Sequence, residues 1–207
     1  MTPAATTVFV VDDNPAVRRS LRTLFDAAGL DVEAYPSAHD FLAAYDAQRP
    51  GCLVLDVRLR GENGLDLLDE LQRRRATLPV IVLTAHGSVP ASVRALKAGA
   101  VDFLEKPARP AVLLARVREA MALGRQRHEA EVEQRLVEQR AARLTPRERQ
   151  VARLLVDGKR SKEIAAALGV SPRTVEGYRS RLLVKMQAAS ATELVAVLLR
   201  TRALPPA

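Results

Sequence analysis

Four short apolar runs mark the first half of the chain: Val8-Phe9-Val10-Val11, Cys52-Leu53-Val54-Leu55, Val80-Ile81-Val82-Leu83 and Val101-Asp102-Phe103-Leu104. None has a helical period. Short apolar runs of this kind read as strands buried on both faces. A further strand is predicted near Asp31–Tyr35. Helical patterns fill the gaps between them. Pro15 suits a first helical position, and Val17, Leu21, Leu24 and Phe25 form one face before Gly29 stops the helix. Ser37 caps a helix through Phe41, Leu42 and Tyr45. Gly61 and Gly64 frame a loop before Leu65, Leu67, Leu68 and Leu71. Pro90 opens a helix through Val93 and Leu96 that ends at Gly99, and a last helix starts near Pro110. Strictly alternating strand and helix patterns predict an α/β fold, a doubly wound five-stranded parallel sheet of flavodoxin-like type, over residues 1–123.

The pattern then changes. From residue 144 onward only helical periods remain. Thr145-Pro146-Arg147-Glu148 is a capping box with Pro at the first helical position. The helix it opens buries Val151, Leu154 and Leu155 and stops at Gly158. Ser161 starts a second helix with Ile164, Ala165 and Leu168. Gly169 permits a left-handed turn, and Ser171-Pro172 caps a third helix whose inner face is Val175, Leu182 and Met186. Ser190 and Glu193 open a fourth with Leu194, Val197 and Leu198. Residues 144–207 therefore read as a small all-α four-helix domain, its middle pair a helix-turn-helix. Residues 124–143 lie between the domains as a helical linker, with Gly124 a possible end of the preceding helix. Arg127, Glu131 and Arg135 stand four apart and pair weakly. Only Val132, Leu136 and Val137 are large and apolar there, which favours a solvated helix over a short dimer coil.

Charge separates the same two regions. The net charge of +8 divides unevenly. Residues 1–123 hold 15 Lys and Arg against 15 Asp and Glu; residues 144–207 hold 12 against 5. A basic C-terminal domain points to a polyanionic partner. Apolar content of 48% and charged content of 27% are ordinary for a folded protein. No apolar run has the length of a membrane span, and the first residues lack a signal-peptide pattern. A cytoplasmic protein is expected. The single Cys52 lies inside a buried strand and reads as core filler.

The candidate chemistry sits at the strand ends. The first run ends in Asp12-Asp13, the second in Asp56, the third in Thr84, and the fourth near Lys106. Parallel strands deliver these groups to the carboxyl edge of the sheet, where such folds bind ligands. Three crowded carboxylates repel one another unless a hard cation such as Mg2+ joins them. Asp56 is then placed to attack phosphorus and form an acyl phosphate. Lys106 offsets charge on the phosphoryl group, and Thr84 donates to one of its oxygens. Taken singly, Asp12 or Asp13 would cap the next helix, Thr84 would end a strand and Lys106 would be solvated. His39 and His86 read as surface or loop residues. Convergence is what favours the chemical reading.

Residues 7–122 resemble the receiver domain of two-component response regulators. The resemblance rests on Val10-Val11-Asp12-Asp13, Leu55-Asp56-Val57-Arg58, Leu83-Thr84-Ala85-His86-Gly87, Lys97-Ala98-Gly99-Ala100 and Lys106-Pro107, in that order. It implies that Asp56 is the phosphoacceptor. It implies Mg2+ held by Asp12, Asp13, Asp56 and the backbone carbonyl of Arg58. Thr84 and Phe103 would be the switch pair, and Lys106, before a cis Pro107, the phosphate-pairing cation. Two positions depart from the pattern: Arg60 stands where Pro is usual, and Ala108 where a larger apolar residue is common.

The C-terminal domain resembles the LuxR-type DNA-binding domain. Leu144-Thr145-Pro146-Arg147-Glu148, Lys162-Glu163-Ile164-Ala165, Leu168-Gly169-Val170-Ser171, Arg173-Thr174-Val175-Glu176 and Lys185-Met186 carry the match. Tyr178 stands where His is frequent. The third helix would enter a major groove of double-stranded DNA. With Val175, Leu182 and Met186 inward, Glu176, Gly177 and Ser180 face outward, and Glu176 is the candidate for a cytosine amine. Arg173, Thr174, Tyr178, Arg179, Arg181 and Lys185 are phosphate-contact candidates. The whole chain resembles a NarL/FixJ-family response regulator, nearer the FixJ side. That implies a sensor histidine kinase, a homodimer when phosphorylated or DNA-bound, and RNA polymerase as partners. An aspartyl-phosphate hydrolase would need a substrate cap, and no segment between strands supplies one. A protein-binding module with a vestigial receiver would not need the full acidic set or the basic tail.

Overall fold

The computed structural model describes residues 6–85 and 89–200. His86 lies outside the described residues. The chain divides into two compact units, Met1–Glu129 and Ala130–Ala207.

In the first unit, β1 (Thr7–Val11), α1 (Pro15–Ala27), β2 (Asp31–Tyr35), α2 (Ala38–Ala44) and β3 (Gly51–Leu55) follow in turn. A two-residue hairpin, β4 (Arg58–Leu59) with β5 (Glu62–Asn63), precedes α3 (Gly64–Arg73). Then come β6 (Val80–Thr84), α4 (Val89–Lys97), β7 (Asp102–Glu105) and α5 (Pro110–Ala142). The five longer strands form a parallel sheet in the order β2-β1-β3-β6-β7. The expected doubly wound sheet is therefore observed.

Side chains alternate across each strand, so every strand feeds two cores. Phe9, Val11, Leu53, Leu55, Val80 and Val82 pack with Phe41 of α2, Leu65, Leu67, Leu68 and Leu71 of α3, and Ala95 of α4. Val8, Val10, Cys52, Val54, Ile81 and Leu83 pack on the other face with Leu21 and Phe25 of α1 and Leu113, Val117, Ala120 and Met121 of α5. Each of these larger side chains contributes about 1.5–3 kcal/mol by burial. Cys52 is fully buried, and burial pushes its thiol pKa up to about 12, as suits a packing residue.

Gly124 does not end a helix, because α5 runs through it. A Cβ at Gly124 would lie 2.0 Å from the Gly51 carbonyl oxygen, and one at Gly51 would lie 2.1 Å from the Thr7 oxygen. Glycine is there for close backbone approach to the start of β3. The segment read as a linker is divided between the units. Residues 124–129 belong to the first, and Val137 and Ala141 are buried in the core of the second.

The second unit contains α6 (Pro146–Val156), α7 (Ser161–Leu168), α8 (Pro172–Met186) and α9 (Ala191–Arg200). The Thr145–Glu148 capping box forms: Thr145 Oγ1 accepts from the Glu148 N–H at 3.3 Å, and Glu148 Oε2 accepts from the Thr145 N–H at 2.8 Å. Gly169, at φ +65°, ends α7 in the left-handed conformation. Ser171 Oγ then accepts from the Thr174 N–H at 3.1 Å and caps α8. Val151, Leu155, Ile164, Val175, Leu182 and Met186 form the centre of this core. Among the described residues no single helix is long and apolar enough to cross a membrane.

Candidate functional site

Strand register gathers the first set of groups. Val11, Leu55, Val82 and Phe103 lie side by side in one row across β1, β3, β6 and β7. Asp12 and Asp56 each follow that row by one residue. The Asp56 N–H donates to the Val11 carbonyl at 2.9 Å, and the Lys106 N–H to the Thr84 carbonyl at 2.8 Å. These backbone bonds hold the four chain segments level at the carboxyl edge.

There Lys106 Nζ donates to Asp12 Oδ2 and to Asp56 Oδ2, each at 2.6 Å. The other oxygens are also used. Asp12 Oδ1 accepts from the Asn14 N–H at 2.9 Å, and Asp56 Oδ1 accepts from the Arg58 N–H at 3.0 Å. Asp12, Asp56 and Thr84 are all buried. Burial works against the Lys106 charge, but hydrogen bonds to Asp12 and Asp56, and their charges, outweigh it and raise its pKa. The ammonium therefore stays charged at neutral pH.

Asp13 stands at the rim, and its Oδ2 lies 3.2 Å from Arg60 Nε. Arg60 occupies the turn of the β4–β5 hairpin beside Gly61, whose φ is +76°. The hairpin is tied to its surroundings by Glu62, whose Oε2 accepts from the Ala38 N–H at 2.9 Å. Phe103 is half-buried against the core shared with α2 and α3. The Lys106–Pro107 peptide is cis. The structure thus brings Asp12, Asp56 and Lys106 into one hydrogen-bonded cluster with Thr84 tied to it through the backbone. It places Asp13 beside Arg60.

The donor set is one of hard oxygens with excess negative charge, which suits Mg2+. The Arg58 N–H, two residues past Asp56, is tied to the same carboxylate. Among the described residues no three acidic, His or Cys side chains are gathered closely enough to hold an ion unaided. In this structure Lys106 supplies the cation between Asp12 and Asp56.

Two features here go beyond the sequence reading: the cap of α1 and the close approach at Gly64. Asn14, not an aspartate, caps α1, its Oδ1 accepting from the Ala16 N–H at 2.9 Å. Asn before Pro is the readable signal. Gly64 opens α3 against the acceptor loop, where a Cβ would lie 2.3 Å from the Asp56 carbonyl oxygen. Nothing in the local sequence announces that approach.

The second set lies on α8. Arg173 and Thr174 are exposed at its start, and Ser180 is exposed further along. Glu176 Oε1 accepts from Ser161 Oγ of α7 at 2.6 Å, and Arg179 Nη1 donates to the same hydroxyl at 2.8 Å. Ser161 thus starts α7, as expected, and its hydroxyl also joins α7 to α8; the cap position is Arg160. Lys185 Nζ donates to the buried Glu148 Oε2 at 2.7 Å and to the Arg143 carbonyl at 3.3 Å. Tyr178 is half-buried, and the Arg181 guanidinium lies over its ring, 4.9 Å from the centroid. Of the residues expected to face DNA, Arg173, Thr174, Glu176, Ser180 and Arg181 are exposed, Gly177, Tyr178, Arg179 and Lys185 partly so. Glu176, Arg179 and Lys185 also hold charged or hydroxyl partners inside the domain, Thr174 Oγ1 lies 2.8 Å from Ser171 Oγ, and Arg181 is held against Gly177 and Tyr178.

Known proteins carry both halves in this order. Residues 8–118 match the response regulator receiver domain, and residues 142–198 match the bacterial regulatory proteins of the luxR family. The chain is 47% identical over 193 residues to the transcriptional regulatory protein FixJ of Azorhizobium caulinodans, covering 93% of this chain and 92% of that one. It is 40% identical to FixJ of Bradyrhizobium diazoefficiens, covering 93% and 94%. Among solved structures it is similar to the response regulator StyR, with a TM-score of 0.83, 38% identity and coverage of 95% and 100%. It is also similar to full-length FixJ from B. japonicum, with a TM-score of 0.56, 40% identity and coverage of 95% and 97%. These relatives are transcriptional regulators, which removes the hydrolase and protein-binder alternatives. A receiver domain also implies a sensor kinase partner, and a LuxR-type domain implies DNA. The chain belongs to the FixJ-like two-component response regulators, transcription factors that join a receiver domain to a LuxR-type helix-turn-helix domain.

Proposed function

We propose that Asp56 takes a phosphoryl group from a sensor histidine kinase and that the acyl phosphate controls DNA binding by the second unit. The observation that carries this is the Lys106 ammonium shared by Asp12 and Asp56 at 2.6 Å each. A carboxylate oxygen of Asp56 attacks phosphorus, the O–P bond forms, and the N–P bond of a phosphohistidine breaks. The departing imidazole takes a proton. Lys106 turns from the carboxylate to the new phosphoryl oxygens, and the Thr84 hydroxyl donates to another. Asp12, Asp13, Asp56 and the Arg58 carbonyl would hold Mg2+, which supplies charge neutralisation at the transferred group. Asp13 would exchange Arg60 for the ion.

The phosphoryl group adds about two negative charges beside Thr84. Thr84 moves toward it, and Phe103 turns into the space left behind. The face of α4 and β7 changes, and two receivers pair, so that two DNA-binding units meet two half-sites. Arg173, Thr174 and Tyr178 contact phosphates, and Gly177 and Ser180 lie toward the bases. Glu176, Arg179 and Lys185 serve the same surface while holding their partners. RNA polymerase in the cytoplasm completes the partner set.

DNA footprinting across the source genome, with and without a phosphoryl donor and Mg2+, tests this. One base-labile phosphate per chain and stronger footprints are expected, with neither in Asp56→Asn. Equal labelling of Asp56→Asn, or no protected DNA, overturns the proposal.

A further inference from the structure

Opposite the buried face of α8, four residues fall in line at i, i+4, i+7 and i+11: Arg173, Gly177, Ser180 and Val184. This stripe is poor in chemistry. Gly177 has no side chain and Val184, 77% exposed, has no polar atom. Glu176 at its edge is engaged with Ser161. Beyond Arg173 in the first turn, Ser180 is the one polar side chain the stripe offers to base edges.

Arg181 sits on the flank of the stripe, but its side chain does not stay there. Helical side chains lean toward the N-terminus and cover the turn before their own Cα. Arg181 Nε donates to the Gly177 carbonyl at 3.2 Å. Its guanidinium packs over the Tyr178 ring. A Cβ built on Gly177 would find Arg181 Nη2 at 3.6 Å as its nearest neighbour. The guanidinium thus lies over Gly177 at ordinary contact distance, where a side chain larger than alanine would displace it, and the carbonyl and ring hold it there. One of five N–H groups is used; the four on Nη1 and Nη2 have no hydrogen-bond partner among the described residues. They lie in the N-terminal half of the helix, the half that enters a major groove in helix-turn-helix proteins.

We infer that Arg181 is the base-reading residue of this helix, positioned by Gly177 and Tyr178 to take the O6 and N7 of a guanine. The inference rests on the DNA-binding reading above. Arginine suits guanine because its planar fork matches the two acceptors, and holding the fork in the free protein lowers the ordering cost on binding. Lysine keeps the charge but loses both the fork and the stack.

The test is selection of bound sequences from randomised double-stranded DNA, using the full chain with a phosphoryl donor present. For Arg181→Lys, preference for one G·C pair in each half-site should fall about tenfold. Affinity for unrelated DNA and its salt dependence should stay within about twofold. Gly177→Val, which improves helix propensity but fills the ground under the guanidinium, should lose preference at the same pair. Tyr178→Phe, which keeps the ring under the guanidinium but removes the hydroxyl that contacts phosphate, should weaken binding to all sequences alike and retain the preference. If Arg181→Lys weakens all sequences equally and leaves the preference intact, Arg181 is a phosphate contact and the inference is overturned. If the intact chain selects no sequence, the DNA-binding reading fails and takes this inference with it.

Discussion

Each unit contains a lysine held against a buried carboxylate, and the two sites are built differently. At the sheet edge, one ammonium, Lys106, is shared by two carboxylates, Asp12 and Asp56, while Asp13 at the rim pairs with Arg60. Negative charge is in excess, and the lysine can change partners without leaving the site. In the helical unit, Lys185 meets one carboxylate, Glu148, which also accepts from the Thr145 N–H. Charge is balanced there, and the same carboxylate completes a helix cap. The first arrangement keeps an excess of negative charge, which suits the cation and phosphoryl group of the proposed reaction. The second has nothing left to exchange.

The largest expected effect comes from breaking the first site. Lys106→Met should slow phosphoryl transfer to Asp56 by about 10²–10³-fold, the usual cost of removing a charge-stabilising donor. Timed labelling with a small phosphoryl donor measures it, and a rate within threefold of the intact protein contradicts the assigned role. Lys185→Met should act oppositely. It leaves a buried carboxylate without its ammonium, at a cost of about 1–3 kcal/mol to the second unit. Urea unfolding of the full chain followed by a probe in that unit reads this, while phosphoryl transfer to Asp56 stays unchanged.

Acid sharpens the contrast further. Burial pushes the Glu148 carboxyl up, but hydrogen bonds from Lys185 and Thr145 outweigh it and leave it below the ordinary value of 4.5. The unfolded chain therefore binds the proton first as pH falls. The stability that Glu148 contributes is complete above about pH 4.5 and drains away as pH drops through its lower folded pKa. Glu148→Gln should be less stable at neutral pH and should lack this acid-side slope. A slope equal to that of the intact chain contradicts the pairing. The smallest effect is expected at Arg60. Its side chain is 89% exposed, so its pair with Asp13 is weak. Arg60→Ala should tighten binding of Mn2+, used as a spectroscopic stand-in for Mg2+, by about two- to fivefold. Unchanged or weaker binding would show that Arg60 does not compete for Asp13.

The same two sites show what a sequence discloses. Asp12, Asp56, Thr84 and Lys106 were legible because each ends an apolar run, and parallel strands carry their ends to one edge. Position along the chain was enough to bring them together. The partner of Lys185 was not legible. Glu148 lies 37 residues away, and it was already accounted for by the capping box it forms. Helical period showed which residues of α8 point inward, but not that Glu176 and Arg179 would meet on Ser161. Those contacts depend on how α7 and α8 cross, which spacing within either helix does not encode. Arg60 was seen only as a departure from a family pattern, since its meeting with Asp13 depends on the hairpin that turns it back.

Gly51 and Gly124 have a consequence for how this protein tolerates change. Each faces main chain at a distance no side chain fits, so alanine at either position meets a carbonyl oxygen that cannot step aside. Gly29, Gly61 and Gly158 have positive φ but open space around them. Asparagine, which visits that conformation readily, can replace them at modest cost. In a survey of every single substitution, columns 51 and 124 would be nearly empty of survivors, while the turn glycines would keep at least one substitute.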